Sequence, residues 1–239
     1  MKNVKLLHPF ANVMGIFFPV GKLKNGGTCE FATERCLKEC CAIHPGKAGE
    51  IKLEIKKEIY KFFCKVDENS IVFKILGELA TNECKILTWF VSGDCPSELT
   101  NKFYNIVRKL DEIGIIQTGF TRNKELWKSL HINIYNTNYK VLLTIENTEE
   151  IDNLYPRIGS DYSYWLFSMP NYEKGCIDIY YIETKHVHIS SGCGGGYYED
   201  HVVKKEKVKS HLELDCKNCF EKKLGCFIEL PLQKKIRNY

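Results

Sequence analysis

From residue 13 onward the chain alternates short apolar runs with amphipathic stretches. VMGIFFPV (13–20) is continuous and apolar, and reads as a short buried strand. EIKLEIKKEIYKFFCK (50–65) instead spaces Ile51, Ile55, Ile59, Phe62 and Phe63 at helical intervals along an otherwise charged segment. SIVFKILGEL (70–79) opens strand-like, although its second half fits a helix equally well. CKILTWFVSGD (84–94) is a buried strand that ends in a glycine turn. The next stretch (96–114) places Ser97 ahead of an amphipathic helix through Phe103, Ile106, Val107 and Leu110, and stops at Gly114. IIQTGFTRN (115–123) is a strand and NKELWKSL (123–130) a short helix. INIYNTNYKVLLTIEN (132–147) holds one or two strands, with further strand candidates at 162–170 and 176–189.

Strand–helix–strand alternation of this kind predicts an α/β fold on a parallel sheet, open or rolled into a partial (β/α) barrel. Sites in such folds form at the carboxyl ends of the strands. Ser92, Gly93, Asp94 and Cys95 follow one predicted strand, and Thr121, Arg122 and Asn123 follow the next. Asp94 and Arg122 are therefore the candidate catalytic pair, with Ser92, Gly93 and Asp94 as candidate cofactor-binding residues. Two plainer roles compete: Asp94 and Ser97 as caps of the following helix, and Arg122 in a surface ion pair.

Composition narrows the class. A chain of 239 residues, 44% hydrophobic and 12% aromatic, can build a core without disulfides. The net charge of +4 does not by itself indicate nucleic acid. Local basic runs at 202–210 and 232–239 read as solvated faces, or as a contact for nucleic acid. No signal-peptide pattern and no eighteen-residue apolar window is visible, so a cytoplasmic protein with no membrane partner is expected. Stable disulfides are rare in that compartment, and clustered cysteines there more often bind metal or do redox chemistry.

The chain has 12 cysteines, and two groups stand apart. The first is Cys29-x6-Cys36-x3-Cys40-Cys41. Cys36 and Cys40 share a face of any helix that continues through ATERCLKECCA, and Cys29 precedes it in a Gly-rich loop. Three thiolates can converge, with the fourth ligand from Cys41, from Cys95 or from outside the protein. Three protein ligands leave one iron of a cluster open to a small molecule, whereas structural zinc prefers a closed set. The second group is Cys216-x2-Cys219-x6-Cys226, with Cys193 upstream beside Gly194, Gly195 and Gly196. Four thiolates suit zinc or an iron–sulfur cluster, and spacing does not separate the two. Cys64, Cys84 and Cys176 read as buried small hydrophobes. His44, His131 and the His186-x-His188 pair read as structural or exposed.

NVMGIFFPVGKLKNGGTCEFATERCLKECCA, FVSGDCPSELTNKFYNIVRKL, GFTRNKELW and DCKNCFEKKLGCF together resemble, in order, the phage gene eighty-eight protein family. The chain departs from that family's pattern at Glu30, where the family has Pro, and at Cys41, where it has Tyr. Its last cysteine interval is also longer. The resemblance implies an iron–sulfur protein. ILTWFVSGDCPSELTNKFYNIVRKLDEIGI is similar, more faintly, to the cofactor-binding turn and helix of radical S-adenosylmethionine enzymes, with Asp94 in place of their Glu. Their Cys-x3-Cys-x2-Cys spacing is replaced here by intervals of six and three.

The expectation is thus a partial-barrel domain at 1–185 and a cysteine-rich, cluster-binding extension at 186–239. Cys29, Cys36 and Cys40 would hold a 4Fe-4S cluster with an open iron, able to bind S-adenosylmethionine for radical chemistry on an unknown small-molecule or macromolecular substrate. Such an enzyme would need an electron donor. Cys193, Cys216, Cys219 and Cys226 would hold a second 4Fe-4S cluster. The alternative is a non-enzymatic iron–sulfur or zinc protein that binds nucleic acid or a partner protein.

Overall fold

The structure, a computed structural model, describes residues 4–10, 13–40, 42, 51–131, 137–147 and 149–150, and the strands at 165–171, 176–183, 186–190, 197–199 and 202–204. It is a mixed α/β fold. Strands β1 (His8–Phe10), β2 (Val13–Phe17), β3 (Ile86–Ser92), β4 (Ile116–Thr121), β5 (Tyr139–Thr144), β6 (Trp165–Asn171), β7 (Cys176–Glu183) and β8 (His186–Ser190) form one eight-stranded sheet in chain order. Pairing is parallel from β2 to β6 and antiparallel at both ends. β9 (Tyr197–Glu199) and β10 (Val202–Lys204) make a separate antiparallel pair. The expected extension begins at residue 186, and its first strand, β8, pairs with β7.

Helices α2 (Leu53–Lys65) and α3 (Glu68–Thr81) precede β3, α4 (Thr100–Glu112) precedes β4 and α5 (Lys124–His131) precedes β5. Consecutive strand order makes every crossover advance the same way, and a common hand then puts the helices on one face. Ile59, Phe63, Ile71, Ile75, Phe103, Ile106, Leu126 and Leu130 accordingly share one buried core with Met14, Leu87, Trp89, Tyr139 and Val141 of the sheet.

Aromatic packing concentrates between β2, β3 and helices α2 and α4. Phe18 meets Phe63, Phe90 and Phe103 at centroid separations of 5.4, 6.0 and 5.8 Å, and Phe63 stacks on Phe103 at 5.2 Å. A polar insertion beside these rings is paired. Trp89 Nε1 donates to Gln117 Oε1 (2.9 Å), and Gln117 Nε2 donates to the Val107 carbonyl (2.9 Å), so burying both side chains costs little.

Three expectations are corrected. Residues 70–79 are wholly helical within α3, because Asp67 caps it by accepting from the Ser70 amide (3.0 Å) and Ile71, Ile75 and Leu79 fall on the core side. Cys64 is exposed rather than a buried filler, and Cys84 is half-buried. Ser97 does not cap a helix: its amide and hydroxyl both donate to Glu30 (2.7 and 3.0 Å).

β3 carries a bulge with a consequence for the site. Gly15 pairs with Thr88 and Phe17 with Ser92, so Trp89, Phe90 and Val91 together oppose Ile16 alone. Phe90 takes φ +53, a conformation rare for a bulky residue, and both Trp89 and Phe90 are buried in the core. The extra residues set the height at which Ser92, Gly93 and Asp94 emerge.

Candidate functional site

The carboxyl ends of β2, β3, β4 and β5 meet in a hydrogen-bonded cluster. Phe18 N donates to the Ser92 carbonyl (2.8 Å), and Ser92 Oγ donates to the Phe18 carbonyl (2.9 Å), which locks the end of β2 to that of β3. The loop after β2 folds back on itself. Thr28 N reaches the Pro19 carbonyl (2.9 Å), Cys29 N reaches the Gly21 carbonyl (2.8 Å), and Lys22 Nζ holds the carbonyls of Glu30 (3.1 Å) and Ala32. A Cβ on Gly27 would fall 2.1 Å from the Gly21 oxygen, so this close approach requires glycine. Gly93 has φ +74, and a Cβ there would lie 2.6 Å from both Phe18 Cβ and Thr28 Oγ1. Cys29 is therefore buried and preorganised against the end of β3.

Asp94 fastens the next pair of strands. Its Oδ1 accepts from the Cys95 amide (2.7 Å) and from Thr121 Oγ1 (2.6 Å), and its Oδ2 accepts from the Arg122 amide (2.9 Å). Its own amide donates to Thr28 Oγ1 (3.1 Å). Burial pushes the carboxyl up to about 6, against the pull of the three hydrogen bonds and the Arg122 charge. Asp94 thus joins the cysteine loop, the end of β3 and the end of β4, and its three accepted bonds are all internal.

Arg122 extends the cluster toward β5. Its guanidinium pairs with Glu146 Oε1 at 2.7 Å, and Thr33 Oγ1 donates to that same oxygen at 2.7 Å. Thr33 in turn accepts from the Cys36 amide (3.0 Å), capping the short helix α1 (Glu34–Lys38). The Arg122 charge also acts on the Cys36 thiol and favours its thiolate. Helix α1 ends before Cys40, which corrects the expectation of one helix face carrying both Cys36 and Cys40. Their separation is set by the chain turning at Glu39.

The three loop cysteines act on one another electrostatically. Burial pushes the Cys29 thiol up to about 12, with Asp94, Cys40 and Cys36 adding to the rise. Cys36 is raised by burial and eased by Arg122. Lys56, buried on α2, is lowered by burial and feels the opposing influence of Cys40. Among the described residues, no group of three or more His, Cys, Asp or Glu has the geometry to hold a single metal ion. Cys41, Cys193, Cys216, Cys219 and Cys226, the Gly194–Gly196 run and His44 lie outside the described residues, as does most of both basic runs.

Other candidates resolve into structural roles. Cys95 is buried in the core with its Sγ toward the Pro96 carbonyl, and the charges acting on it are Asp94 and Glu30 rather than the loop cysteines. Asn123 caps α5 by accepting from Glu125 N and Leu126 N (3.1 and 3.0 Å), while its Nδ2 donates to the Cys95 carbonyl. His131 is buried, bonded to the Trp127 carbonyl and lowered by burial to about 3. Sequence reading missed Glu146, Thr28, Thr33 and Lys22. Only Glu146 carried a signal, as an acid just past a predicted strand, and the rest are ordinary loop residues until the fold assembles them. No helix among the described residues is long and apolar enough to cross a membrane. The chain matches no protein-family model, no curated protein and no solved structure.

Proposed function

We propose that the chain is an iron–sulfur protein on a partial (β/α) barrel, with Cys29, Cys36 and Cys40 holding a 4Fe-4S cluster whose open iron binds S-adenosylmethionine. Cys193, Cys216, Cys219 and Cys226 supply a second, closed cluster. The observation that carries this reading is the docking of the cysteine loop onto Ser92–Asp94 and Arg122 at the carboxyl ends of consecutive parallel strands.

The donor set fits such a group. A thiol held near 12 stays protonated at neutral pH unless a metal displaces the proton, and thiolates gathered in one place repel until a metal neutralises them. When bound, a reduced cluster would supply the single electron needed for reductive cleavage of S-adenosylmethionine, and an external electron donor would restore it. The protein's part is placement. Lys22 and Thr28 hold Cys29, Thr33 holds Cys36, and Asp94 aligns the strand ends beneath them. Arg122 and Lys56 put positive charge beside thiolates, which lowers the cost of assembling them.

Protein purified without oxygen should be brown and carry roughly eight iron and eight acid-labile sulfide, as expected for two four-iron clusters. After reduction with dithionite it should cleave S-adenosylmethionine. An intact cluster without cleavage removes the radical chemistry, and colourless protein holding zinc removes both.

A further inference from the structure

The outward face of α3 differs from its neighbour's. Every fully exposed position of that helix is uncharged: Asn69, Ser70, Phe73, Gly77, Ala80 and Thr81. Helix α2, of similar length, exposes Glu54, Lys57, Glu58, Lys61 and Lys65, as a solvated helix face does. The charged residues of α3 flank its face and are paired, Lys74 with Glu78 (3.1 Å) and Glu68 with Lys109 of α4 (3.2 Å).

Two positions on this face are unfavourable for the chain alone. Phe73 is 75% exposed, so its ring stands in water. Gly77, one turn on, weakens the helix relative to alanine through its backbone freedom. Nothing among the described residues requires that glycine: its φ is not positive, and a Cβ there would meet no atom within 4 Å. A bare stretch of backbone beside a projecting ring suits a close approach from outside. The ring also has apolar company. Asn69 Oδ1 accepts from Lys109 Nζ (2.8 Å), which sets α3 and α4 in step. One turn further along each helix come Phe73 and Ile113, the latter 55% exposed, and half-buried Leu76 extends the patch.

We infer that two copies of the chain pair through this face, α3 against α3 about a two-fold axis. An axis at the level of Ile75 runs the helices antiparallel and brings residue 73 of one copy level with residue 77 of the other. Each Phe73 ring then covers the partner's Gly77, while Asn69 comes level with Thr81 and Ser70 with Ala80. Charge selects a second copy as the occupant. In a two-fold contact a patch meets an identical patch, so a charged face would meet its own sign and this neutral one does not. Packed helices cross at an angle, which carries the acidic ends at Asp67 and Glu83 apart. A helix of this length spans about 21 Å, so the face covers less than the roughly 800 Å² per partner of a standard complex. The dimer is therefore weak and reversible, and it does not depend on the cluster.

Sedimentation equilibrium of the full chain over about 1 to 500 µM reads the association directly. Reducing buffer keeps exposed Cys64 from linking copies. A monomer–dimer equilibrium is expected. Phe73→Glu should weaken it by about a hundredfold or more, because two charges enter each interface, and should leave the melting temperature of the dilute protein unchanged. Gly77→Gln should weaken it by about tenfold and raise that melting temperature, since glutamine favours the helix and fills the space the ring needs. Phe73→Ala should also weaken pairing, and adding Gly77→Phe to the same chain should restore it, because ring and gap have only exchanged places. A chain that stays monomeric throughout overturns the inference and leaves the face to a different protein. A dimer that survives Phe73→Glu, or one that the exchange of ring and gap fails to restore, overturns it as well.

Discussion

Asp94→Asn tests the site where its chemistry and its architecture coincide. In the folded chain the carboxyl is pushed from 3.8 up to about 6 by burial, although it accepts three hydrogen bonds. A folded pKa above the unfolded value means that the native state binds the proton more tightly. The stability from this group is therefore complete below about 3.8 and is lost as pH rises through about 6. Two units at 1.36 kcal/mol each give roughly 3 kcal/mol, and the side chain is too deeply buried for solvent screening to reduce it much. The carboxamide of the variant cannot titrate, so the difference in unfolding free energy, wild type minus variant, should fall by about that amount between pH 4 and pH 7.5. At every pH the variant also carries a separate cost. Its amide nitrogen or its single oxygen must replace Oδ2, and in the orientation that keeps both Oδ1 bonds an N–H faces the Arg122 N–H, worth about 1–3 kcal/mol. Urea denaturation of metal-free protein at several pH values measures both effects. A flat difference curve, or one that rises with pH, would refute the reasoning.

Other outcomes are equally specific. Phe18→Ala should destabilise by about 3–5 kcal/mol in denaturant melts, since it opens a cavity among four aromatic rings. Glu146→Gln should halve the ion pair to Arg122 and loosen the cap on α1, costing about 1–3 kcal/mol and lowering the iron bound per chain after reconstitution; unchanged iron would separate Glu146 from the cysteine loop. In metal-free protein at pH 7.5, Cys29 should react with iodoacetamide about a hundredfold or more slower than exposed Cys64, as mass spectrometry of the labelled peptides would show. His131 is lowered to about 3, so the stability that it contributes is complete above 6.5 and is lost as pH falls toward 3; His131→Asn should flatten that acid limb.

Much of the α/β architecture was legible in the chain because its signals are local. The largely apolar runs at 13–17 and 86–92 read as buried strands, and the stripe through Phe103, Ile106, Val107 and Leu110 as a helix with one face to the core. Residues 70–79 were ambiguous for the same reason, since Ile71 and Val72 favour strands intrinsically, and capping by Asp67 together with packing tipped them to helix. Loop positions at strand ends also followed from the alternation, which is why Ser92, Asp94 and Arg122 were candidates before any fold was known.

Partnership was decided only in three dimensions. Asp94 meets Thr121 27 residues away, Thr33 meets Glu146 113 residues away, and Thr28 meets the Asp94 amide across 66. No sequence period encodes such pairs, because the sheet brings together strand ends whose spacing along the chain is arbitrary. Residue types and their local periodicity determined which elements form, and the order and pairing of the strands determined which polar groups must share one small, buried space.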